Sequence, residues 1–485
     1  MPKISLLILL VLVSGTAGAH SFGRMYNLPV PVWLYLYGAA AALAVSFLVI
    51  GYFVSVGSAG RAEQALSLDF ERHASWLRAF RRVAQGVAVL LLALCIVAGF
   101  YGTTDDYRNI NMTLFWIIFI LGLTYLTAIT TSIYEYASPW VAVSDLIDSI
   151  WKGFSRGRIE YPARAGHWPA LLLYMLFIWL ELMGDSGPRS LAWILLGYSC
   201  LTLFGVWLFG RKAWFRYGEF LAVFFRLIAL MAPIRIQRDD KDQRLMLVLQ
   251  WPFLGLMQGR VGSMALLLFI LFMLSSTAFD GLRETQVWRR LFWIDVYHLG
   301  LKDYVSLNPL KAFPTMSRWF GYWQAFWLLM SPLVYLVVYL GFIALMKLIV
   351  RSQLGLMDLA CRFACSLLPI ALVYNITHYY TLIQIQGVKI VTLISDPFGM
   401  GWDLFGTADW LRLTIIPNAE QVWHVQVGLI VFGHIISVYI AHLEALRTFS
   451  SHRQAVISQL PMLVLMLIFT TVGLWILSEP IQPGA

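Results

Sequence analysis

The stretch SLLPIALVYNITHYYTLIQIQG, residues 366–387, is long and apolar enough to cross a lipid bilayer, yet it carries Pro369, Asn375 and His378 in mid-segment. An ionisable side chain at membrane depth is costly, so it usually faces a polar partner, a metal ion or a water-filled cavity. The chain continues into VKIVTLISDPFGMGWDLFG, residues 388–406, which is rich in Asp, Pro, Gly and Trp. The pattern therefore predicts a transmembrane helix and a following loop that together carry a functional site.

The composition of the whole chain is that of a membrane protein. Of 485 residues, 60% are hydrophobic and 13% are charged, and the mean hydropathy is +0.73, whereas about a quarter of the residues of soluble proteins are charged. The net charge of +9 does not indicate a nucleic-acid partner, because the basic residues fall in short loops between apolar segments. The composition predicts an all-α fold class, a polytopic transmembrane helix bundle in contact with the lipid bilayer.

The first residues of the chain, 1–19, read as a cleaved signal peptide. Lys3 precedes the short apolar core ISLLILLVLV, and the small residues Ala17, Gly18 and Ala19 form the expected cleavage site. Cleavage leaves His20 as the mature N-terminus. An N-terminal histidine can chelate a metal ion through its amine and its ring, so His20 is a candidate extra metal ligand, although a terminal histidine without that role is the commoner case.

Ten further apolar segments follow the signal peptide, and several exceed the ~20 residues that a membrane span needs. Their approximate bounds are 30–55, 84–103, 112–134, 168–184, 190–210, 262–280, 322–346, 364–386, 420–443 and 455–478. The sequence therefore predicts about ten spans in a single multi-span membrane domain over residues 20–485.

The distribution of basic residues predicts the orientation of these spans. If the mature N-terminus is outside, the loops assigned to the inside hold 23 Lys and Arg residues, and those assigned to the outside hold 11. Basic residues concentrate in cytoplasmic loops, so the protein is expected in a bacterial inner membrane with both termini periplasmic. The two long exterior loops are then 281–321 and 387–419.

Two stretches do not fit a simple alternation of spans and loops. Residues 217–234 are apolar but interrupted by Glu219 and Arg226, which indicates an interfacial or re-entrant helix rather than an eleventh span. The loop 281–321 contains VWRRLFWIDVYHLGL, in which aromatic and basic residues alternate. We expect this loop to lie on the membrane surface as an amphipathic lid.

Four ionisable residues are expected within the outer half of the bundle, namely Glu181, Asp280, His378 and His434. Imidazole and carboxylate together suit a divalent metal ion, and a bound metal makes hydroxide available from water near neutral pH. All four are therefore candidate metal ligands, and Glu181 and Asp280 are also candidate catalytic residues. The structural alternatives are carboxylates that reach water at span ends and histidines that hydrogen-bond between helices, where Gly433 allows close approach.

Further candidates lie close to these four in the sequence. Asp396 is a candidate catalytic residue in the exterior loop, Trp402 and the helix residues Tyr374 and Tyr379 are candidate substrate contacts, and His424 is a possible extra metal ligand. The alternative for the loop is a tight turn, since Asp-Pro and Gly-rich pairs form turns.

Several segments, spread over most of the chain, resemble the bacterial membrane proteins named after fenitrothion hydrolase. They are HSFGRMYNLPVPVWLYLYGAAAALAVSFLVIG (20–51), EYPARAGHWPALLLYMLFIWLEL (160–182), STAFDGL (276–282), SLLPIALVYNITHYYTLIQIQG (366–387), ISDPFGMGWDLFG (394–406), VWHVQVGLIVFGHIISVYIAHLEAL (422–446) and QLPMLVLMLIFTTVGLWILSEP (459–480). The resemblance implies one subunit of a heteromeric, membrane-bound organophosphorus hydrolase, with a second, dissimilar membrane subunit as partner. It supplies no active-site motif, so the site residues rest on the sequence reading alone.

The expected function is hydrolysis of an apolar (thio)phosphotriester by a metal-activated water at a site facing the outer leaflet, where such a substrate concentrates. One alternative is a metal-ion or proton-coupled transporter or a metal-handling membrane protein, because intramembrane acids and histidines also form ion relays. A relay needs polar residues through the whole membrane thickness, and the candidates are biased to the outer half. Another alternative is a haem protein with His378 and His434 as axial ligands.

Overall fold

The protein is a helix bundle, described here from a computed structural model over residues 31–54, 66–184, 187–238, 244–410 and 417–479. It is 77% helical, which confirms the all-α fold class. In chain order its apolar helices are α1 (Val32–Phe53), α2 (Glu71–Tyr101), α3 (Ile110–Ile129), α4 (Trp168–Met183), α5 (Pro188–Phe209), α6 (Phe220–Ala229), α7 (Met264–Arg283), α8 (Pro309–Val350), α9 (Leu356–Ile385), α10 (Ala419–Thr448) and α11 (His452–Ser478). The signal peptide and His20 lie outside the described residues.

Every one of the ten predicted segments coincides with one of these helices. Within the described ranges, nine helices are long and apolar enough to span a membrane. The tenth segment forms α4, which has 16 residues and is about 24 Å long, shorter than the ~30 Å hydrocarbon core. The chain is therefore a multi-pass membrane protein.

Helix α6 is a short helix buried inside the bundle. It has ten residues and follows a π-helical turn over Trp214–Gly218. Most of its side chains are buried, and the ring of Phe220 stacks 6.0 Å from that of Tyr174 in the middle of α4. An interfacial helix would leave one face open, so the structure favours the re-entrant alternative of the two predicted for 217–234.

Three short strands form a small antiparallel sheet that the sequence analysis did not predict. The strands are β1 (Leu66–Asp69), β2 (Ile234–Arg238) and β3 (Leu245–Leu249), and β3 lies between the other two. Val248 is the register partner of both Ser67 and Arg235. The sheet joins the segment after α1 to the segment after α6, and both were assigned to the same side of the membrane.

The loops at the opposite end of the bundle also contact each other as the predicted topology requires. The Thr103 N–H donates to Phe398 O at 2.8 Å, and the Ile110 N–H donates to Pro397 O at 3.1 Å. These bonds join the loop between α2 and α3 to the loop between α9 and α10. The two loops therefore lie at the same end of the bundle, as the predicted topology requires. Which end of the bundle faces the cytoplasm stays a prediction.

The loop predicted over 281–321 is largely helical. Helix α7 continues to Arg283, a helical turn and a π-helical turn cover Gln286–Arg290 and Leu291–Val296, and α8 begins at Pro309. Trp288 is buried, with its ring 5.3 Å from that of Phe279 in α7. Phe292 of the same segment is also buried. The segment therefore packs these two aromatic residues onto the bundle, which suits the amphipathic lid predicted for this loop.

Helix α7 lies at the centre of the bundle. Every residue from Ala265 to Ser276 is buried, and α9 is similarly enclosed from Leu368 to Tyr374. An α-helix that is apolar on all sides suits the core of a large bundle. The polar residues near the C-terminal end of α7 are therefore held between other helices.

Candidate functional site

Five side chains from three helices meet near the C-terminal ends of α4 and α7. Glu181 comes from the last turn of α4, Asp280 and Arg283 from the last turn of α7, and His378 and Tyr379 from the second half of α9. We call these five residues the polar cluster. The structure brings together four of the residues that the sequence analysis selected, and it adds Arg283.

Asp280 contacts two other members of the polar cluster. Its Oδ2 atom lies 2.6 Å from His378 Nε2, and its Oδ1 atom accepts from Arg283 Nε at 2.9 Å. Arg283 also donates from Nη1 to the carbonyl oxygen of Leu182 at 2.8 Å, which ties α7 to the end of α4. A carboxylate with a guanidinium on one oxygen and an imidazole on the other is well stabilised as an anion.

Glu181 has a different environment from Asp280. Its Oε1 atom accepts a hydrogen bond from the Tyr379 hydroxyl at 3.0 Å, and that neutral hydroxyl is its hydrogen-bond partner in the described structure. Glu181 and Asp280 line the same cavity. Two carboxyl groups that share a cavity resist being ionised together, so Glu181 is the member of the pair suited to carry a proton.

The cavity beside the polar cluster is small. Its volume is about 50 Å³, and its wall includes Asn375 and Phe220 in addition to Glu181, Asp280 and Tyr379. One water molecule occupies ~30 Å³ of liquid, so the cavity has room for one or two waters. Pockets that bind drug-sized ligands are roughly 300–1,000 Å³, so an aryl phosphotriester does not fit inside this cavity.

The donor set of the polar cluster does not suit a metal ion. Among the residues that the structure describes, no three His, Cys, Asp or Glu side chains are grouped so that they could hold one. Asp280, the best anionic ligand, is already paired with the guanidinium of Arg283, whose positive charge opposes a bound cation. Both carboxylate oxygens of Asp280 are thus already engaged, one by Arg283 and the other by His378.

His434 lies apart from the polar cluster. It is fully buried, and its Nδ1 donates to the carbonyl oxygen of Ile430 at 2.8 Å. Its Nε2 has no hydrogen-bond partner in the described parts of the chain, and the ring of Tyr374 is 6.0 Å away. The haem alternative needs Nε2 of His378 as well, and that atom is bonded to Asp280.

Tyr374 makes a contact between helices rather than with the cavity. Its hydroxyl donates to the carbonyl oxygen of Phe469 in α11 at 2.6 Å. A Cβ atom at Gly473, also in α11, would overlap the same hydroxyl. The structure therefore gives Tyr374 a packing role, whereas Tyr379 lines the cavity, and its role as a substrate contact stays a prediction.

Asp396 closes a turn in the loop after α9. Its two carboxylate oxygens accept from the N–H groups of Met400 at 2.9 Å and Gly401 at 2.8 Å, and Gly401 has a positive φ of 84°. Trp402 is 44% exposed and packs beside Phe398 with 5.3 Å between the ring centres. Both residues suit the tight-turn alternative and lie outside the polar cluster.

His424 lies on a surface groove near the start of α10. Its Nδ1 donates to the carbonyl oxygen of Glu420 at 2.8 Å, and its Nε2 is 3.3 Å from the Tyr35 hydroxyl. The groove has a volume of about 840 Å³ and is also lined by Tyr380 and Gln384. His424 is thus near α9 but does not join the polar cluster.

Glu219 is the functional candidate that the sequence analysis missed. Its side chain is fully buried, and it caps α6 by accepting from the N–H groups of Leu221 at 3.3 Å and Ala222 at 2.6 Å. The hydroxyls of Tyr134, at 3.3 Å, and Tyr198 also donate to it. The available sequence signal was an acidic residue at the start of an apolar run, the position of a helix N-cap.

Comparisons with models of known protein families, with curated proteins and with solved structures found no match to this chain. The fold and the site geometry therefore define the class on their own. The chain is a multi-pass helical membrane protein with ionisable residues gathered inside its bundle.

Proposed function

We propose that the chain is a proton-coupled membrane transport protein whose polar cluster binds and releases a proton. The observation that carries this proposal is the pairing of two unlike carboxyl groups on one water-sized cavity. Asp280 is held as an anion by Arg283 and His378, while the hydrogen bond that Glu181 accepts within the described residues comes from the neutral Tyr379 hydroxyl. Ionisable residues inside membrane bundles commonly serve as proton relays.

The chemistry assigned to each residue follows from its partners. Arg283 fixes the charge and orientation of Asp280, and Asp280 in turn orients the ring of His378. Glu181 takes up the proton. A single hydrogen bond from the Tyr379 hydroxyl links that residue to the Glu181 carboxyl group. A water in the cavity is the natural donor and acceptor for that proton, since the cavity has room for it.

A further buried acid near the polar cluster also supports a relay. The sequence placed the candidate residues in the outer half of the bundle, which counted against this function. Glu219 adds a fully buried carboxyl at the start of α6. The cavity wall includes the next two residues, Phe220 and Leu221, so this carboxyl lies close to the polar cluster.

The test is proton uptake by purified protein in sealed vesicles that contain a pH-sensitive dye, driven by an imposed membrane potential. We expect Glu181→Gln to abolish uptake, because a neutral amide cannot carry the proton. Glu420→Gln, at an exposed acid in the first turn of α10, is the matched control and should behave as wild type. Equal uptake in wild type and Glu181→Gln would contradict the proposal.

A hydrolase is the second candidate function, and one contact favours it. An imidazole oriented by a carboxylate, as His378 is by Asp280 at 2.6 Å, is the arrangement that activates water as a general base. Tyr380, two residues further on, lines the groove of about 840 Å³, which is large enough for an apolar (thio)phosphotriester. The chain would then act as one of two dissimilar membrane subunits, as the resemblance to fenitrothion hydrolases implies.

Release of nitrophenol from an apolar nitrophenyl phosphotriester tests this second candidate, with the chain expressed alone and with its genomic neighbours that encode membrane proteins. Hydrolysis that His378→Ala abolishes, together with no proton uptake by vesicles, would replace the transport proposal. Metal analysis of the same preparation tests the sequence-based expectation of a divalent ion. From the donor set we expect no stoichiometric metal.

A further inference from the structure

Glu219 is buried in a pocket made almost wholly of hydrogen-bond donors. Its Oε2 atom accepts from the Ala222 N–H, and its Oε1 atom accepts from the Leu221 N–H and from the hydroxyls of Tyr134 and Tyr198. This arrangement supports the ionised carboxylate without a salt bridge, because the start of a helix adds a favourable dipole.

Two of the four donors can reverse their role. A backbone N–H only donates, whereas a tyrosine hydroxyl can donate or accept. Both hydroxyls bond to Oε1, so Oε1 is the oxygen that can accept a proton without losing its neighbours. A protonated Oε1 would donate to the hydroxyl oxygen of Tyr198, provided that the Tyr198 hydrogen finds another acceptor.

Thr202 supplies that acceptor. It follows Tyr198 by one turn of α5, so the two side chains lie on the same face of the helix. Thr202 is fully buried and its side chain interacts with that of Tyr198, although its Oγ1 makes no hydrogen bond of good geometry in the described structure. An unpaired buried hydroxyl next to a rotatable hydroxyl is costly unless a second hydrogen-bonding arrangement uses it.

The ring of Phe220 lies between this pocket and the cavity of the polar cluster. It packs 5.4 Å from the ring of Tyr198 on one side and 5.0 Å from that of Phe177 on the other, and it forms part of the cavity wall. Phe220 therefore contacts both Tyr198, a partner of Glu219, and the cavity of the polar cluster.

The other charged groups near α6 are engaged elsewhere. Arg226 lies on α6 two turns after Glu219, and its Nη2 donates to the carbonyl oxygen of Arg216 at 2.6 Å. Arg226 also interacts electrostatically with Glu135, from the helix that carries Tyr134. The elements packed around Glu219 thus bring it two tyrosine hydroxyls as direct side-chain partners, with Arg226 acting at longer range.

We propose that Glu219 is a second proton-binding site, which takes a proton on Oε1 while the Tyr198 hydroxyl turns from Glu219 to Thr202, and which exchanges that proton with the polar cluster past Phe220. The inference rests on the proposed function of the polar cluster as the first site. No bond other than O–H is made or broken, and the proton lost by one carboxyl group is gained through water by the other.

Infrared difference spectroscopy of the purified full-length protein tests the inference, because a protonated carboxyl group has a separate carbonyl absorption that can be titrated with pH. We expect two titrating components, of which Glu219→Gln removes one and Glu181→Gln removes the other. If Glu181→Gln removed no titrating component, the transport proposal would be overturned. If Glu219→Gln removed none, this inference would be overturned, because Glu219 would then be a permanently ionised helix cap.

Thr202→Val is the sharper variant, since it keeps the carboxyl group and its cap. It removes the acceptor that the protonated state needs, so the Glu219 component should titrate at lower pH. Thr127→Val, which replaces another fully buried threonine whose Oγ1 has no described partner, is the matched control. Identical titrations in the two variants would contradict the proposed hydrogen-bond switch, and this comparison does not depend on whether Glu219→Gln folds.

Discussion

At the residue scale, the most constrained group is Asp280, which is bonded to both Arg283 and His378 and is 9% exposed. Its partners come from its own helix and from α9. Breaking a buried ion pair by removing one partner leaves the other charge unpaired, which typically costs 3–5 kcal/mol, about half the stability of an ordinary domain. Asp280 is therefore expected to matter for folding, in addition to its part in the proposed proton chemistry.

Asp280→Asn should lower the free energy of unfolding in detergent by roughly 3–5 kcal/mol, because the Arg283 guanidinium loses its counter-charge. Asp69→Asn is the control, since Asp69 and Arg244 form an exposed pair at 3.7 Å, for which about 0–1 kcal/mol is expected. The double variant Asp280→Asn with Arg283→Gln should recover part of the loss. Additive effects of the two substitutions would show that the pair is not coupled.

His167, just before α4, gives a prediction about pH. Burial, together with the positive charges of Arg226 and Arg216, lowers the pKa of His167 from its usual 6.5 to about 4. The unfolded chain then binds this proton first as the pH falls, so the stability should decrease between about pH 6.5 and pH 4. His167→Gln should flatten the pH dependence in this window, and an unchanged slope of stability against pH would contradict the assignment.

At the scale of elements, the close approach of α9 and α10 depends on glycine. The sequence predicted this role for Gly433, and the structure confirms it, since a Cβ atom at Gly433 would overlap the side chain of Val373. Small residues let helix backbones approach in membrane bundles. The contact also fixes the rotation of α9, and hence the direction in which His378 and Tyr379 point.

Gly433→Ala should therefore destabilise the protein by about 1–3 kcal/mol, the usual cost of overpacking. Gly428→Ala on the same helix is the matched control, because nothing lies within 4 Å of a Cβ atom there. That control should be neutral or stabilising by up to ~1 kcal/mol, since alanine is the better helix former. Equal thermal midpoints for the two variants would remove the packing argument.

The sequence predicted some of the helices and strands and did not predict others. Hydrophobic length predicted all nine of the described helices that are long and apolar enough to span a membrane, because the bilayer requires long apolar helices whatever their neighbours are. Strand β1 has four residues, LSLD, and all of them are exposed, so its apolar alternation is too short for the sequence alone to identify it. Helix α6 was recognised as unusual, but the burial of Glu219 depends on tyrosines from two other helical segments.

At the scale of the whole molecule, the sequence predicted the positions of the site residues along their helices better than the direction in which their side chains point. Glu181, Asp280, His378 and Tyr379 do meet. His434 is on a neighbouring helix but does not contact them. Hydropathy places a residue along a helix axis and says little about the rotation of that helix, which is set by its packing.

The orientation of the whole chain remains a prediction and is testable with fusions. Alkaline phosphatase attached after residue 485 should be active, and green fluorescent protein attached there should be dark, if the C-terminus is periplasmic. Fusions after residue 250, next to β3, should give the opposite pattern. The same pattern from both positions would mean that the order of the spans is wrong.

Helix α8 has 42 residues and is therefore about 63 Å long, twice the hydrocarbon thickness. A rod of this length cannot be hidden in a detergent micelle even when it is steeply tilted. In electron cryomicroscopy the projecting end of α8 should be visible outside the detergent micelle, which otherwise gives the particle a featureless outline. That asymmetry gives image alignment a landmark that most small integral membrane proteins lack.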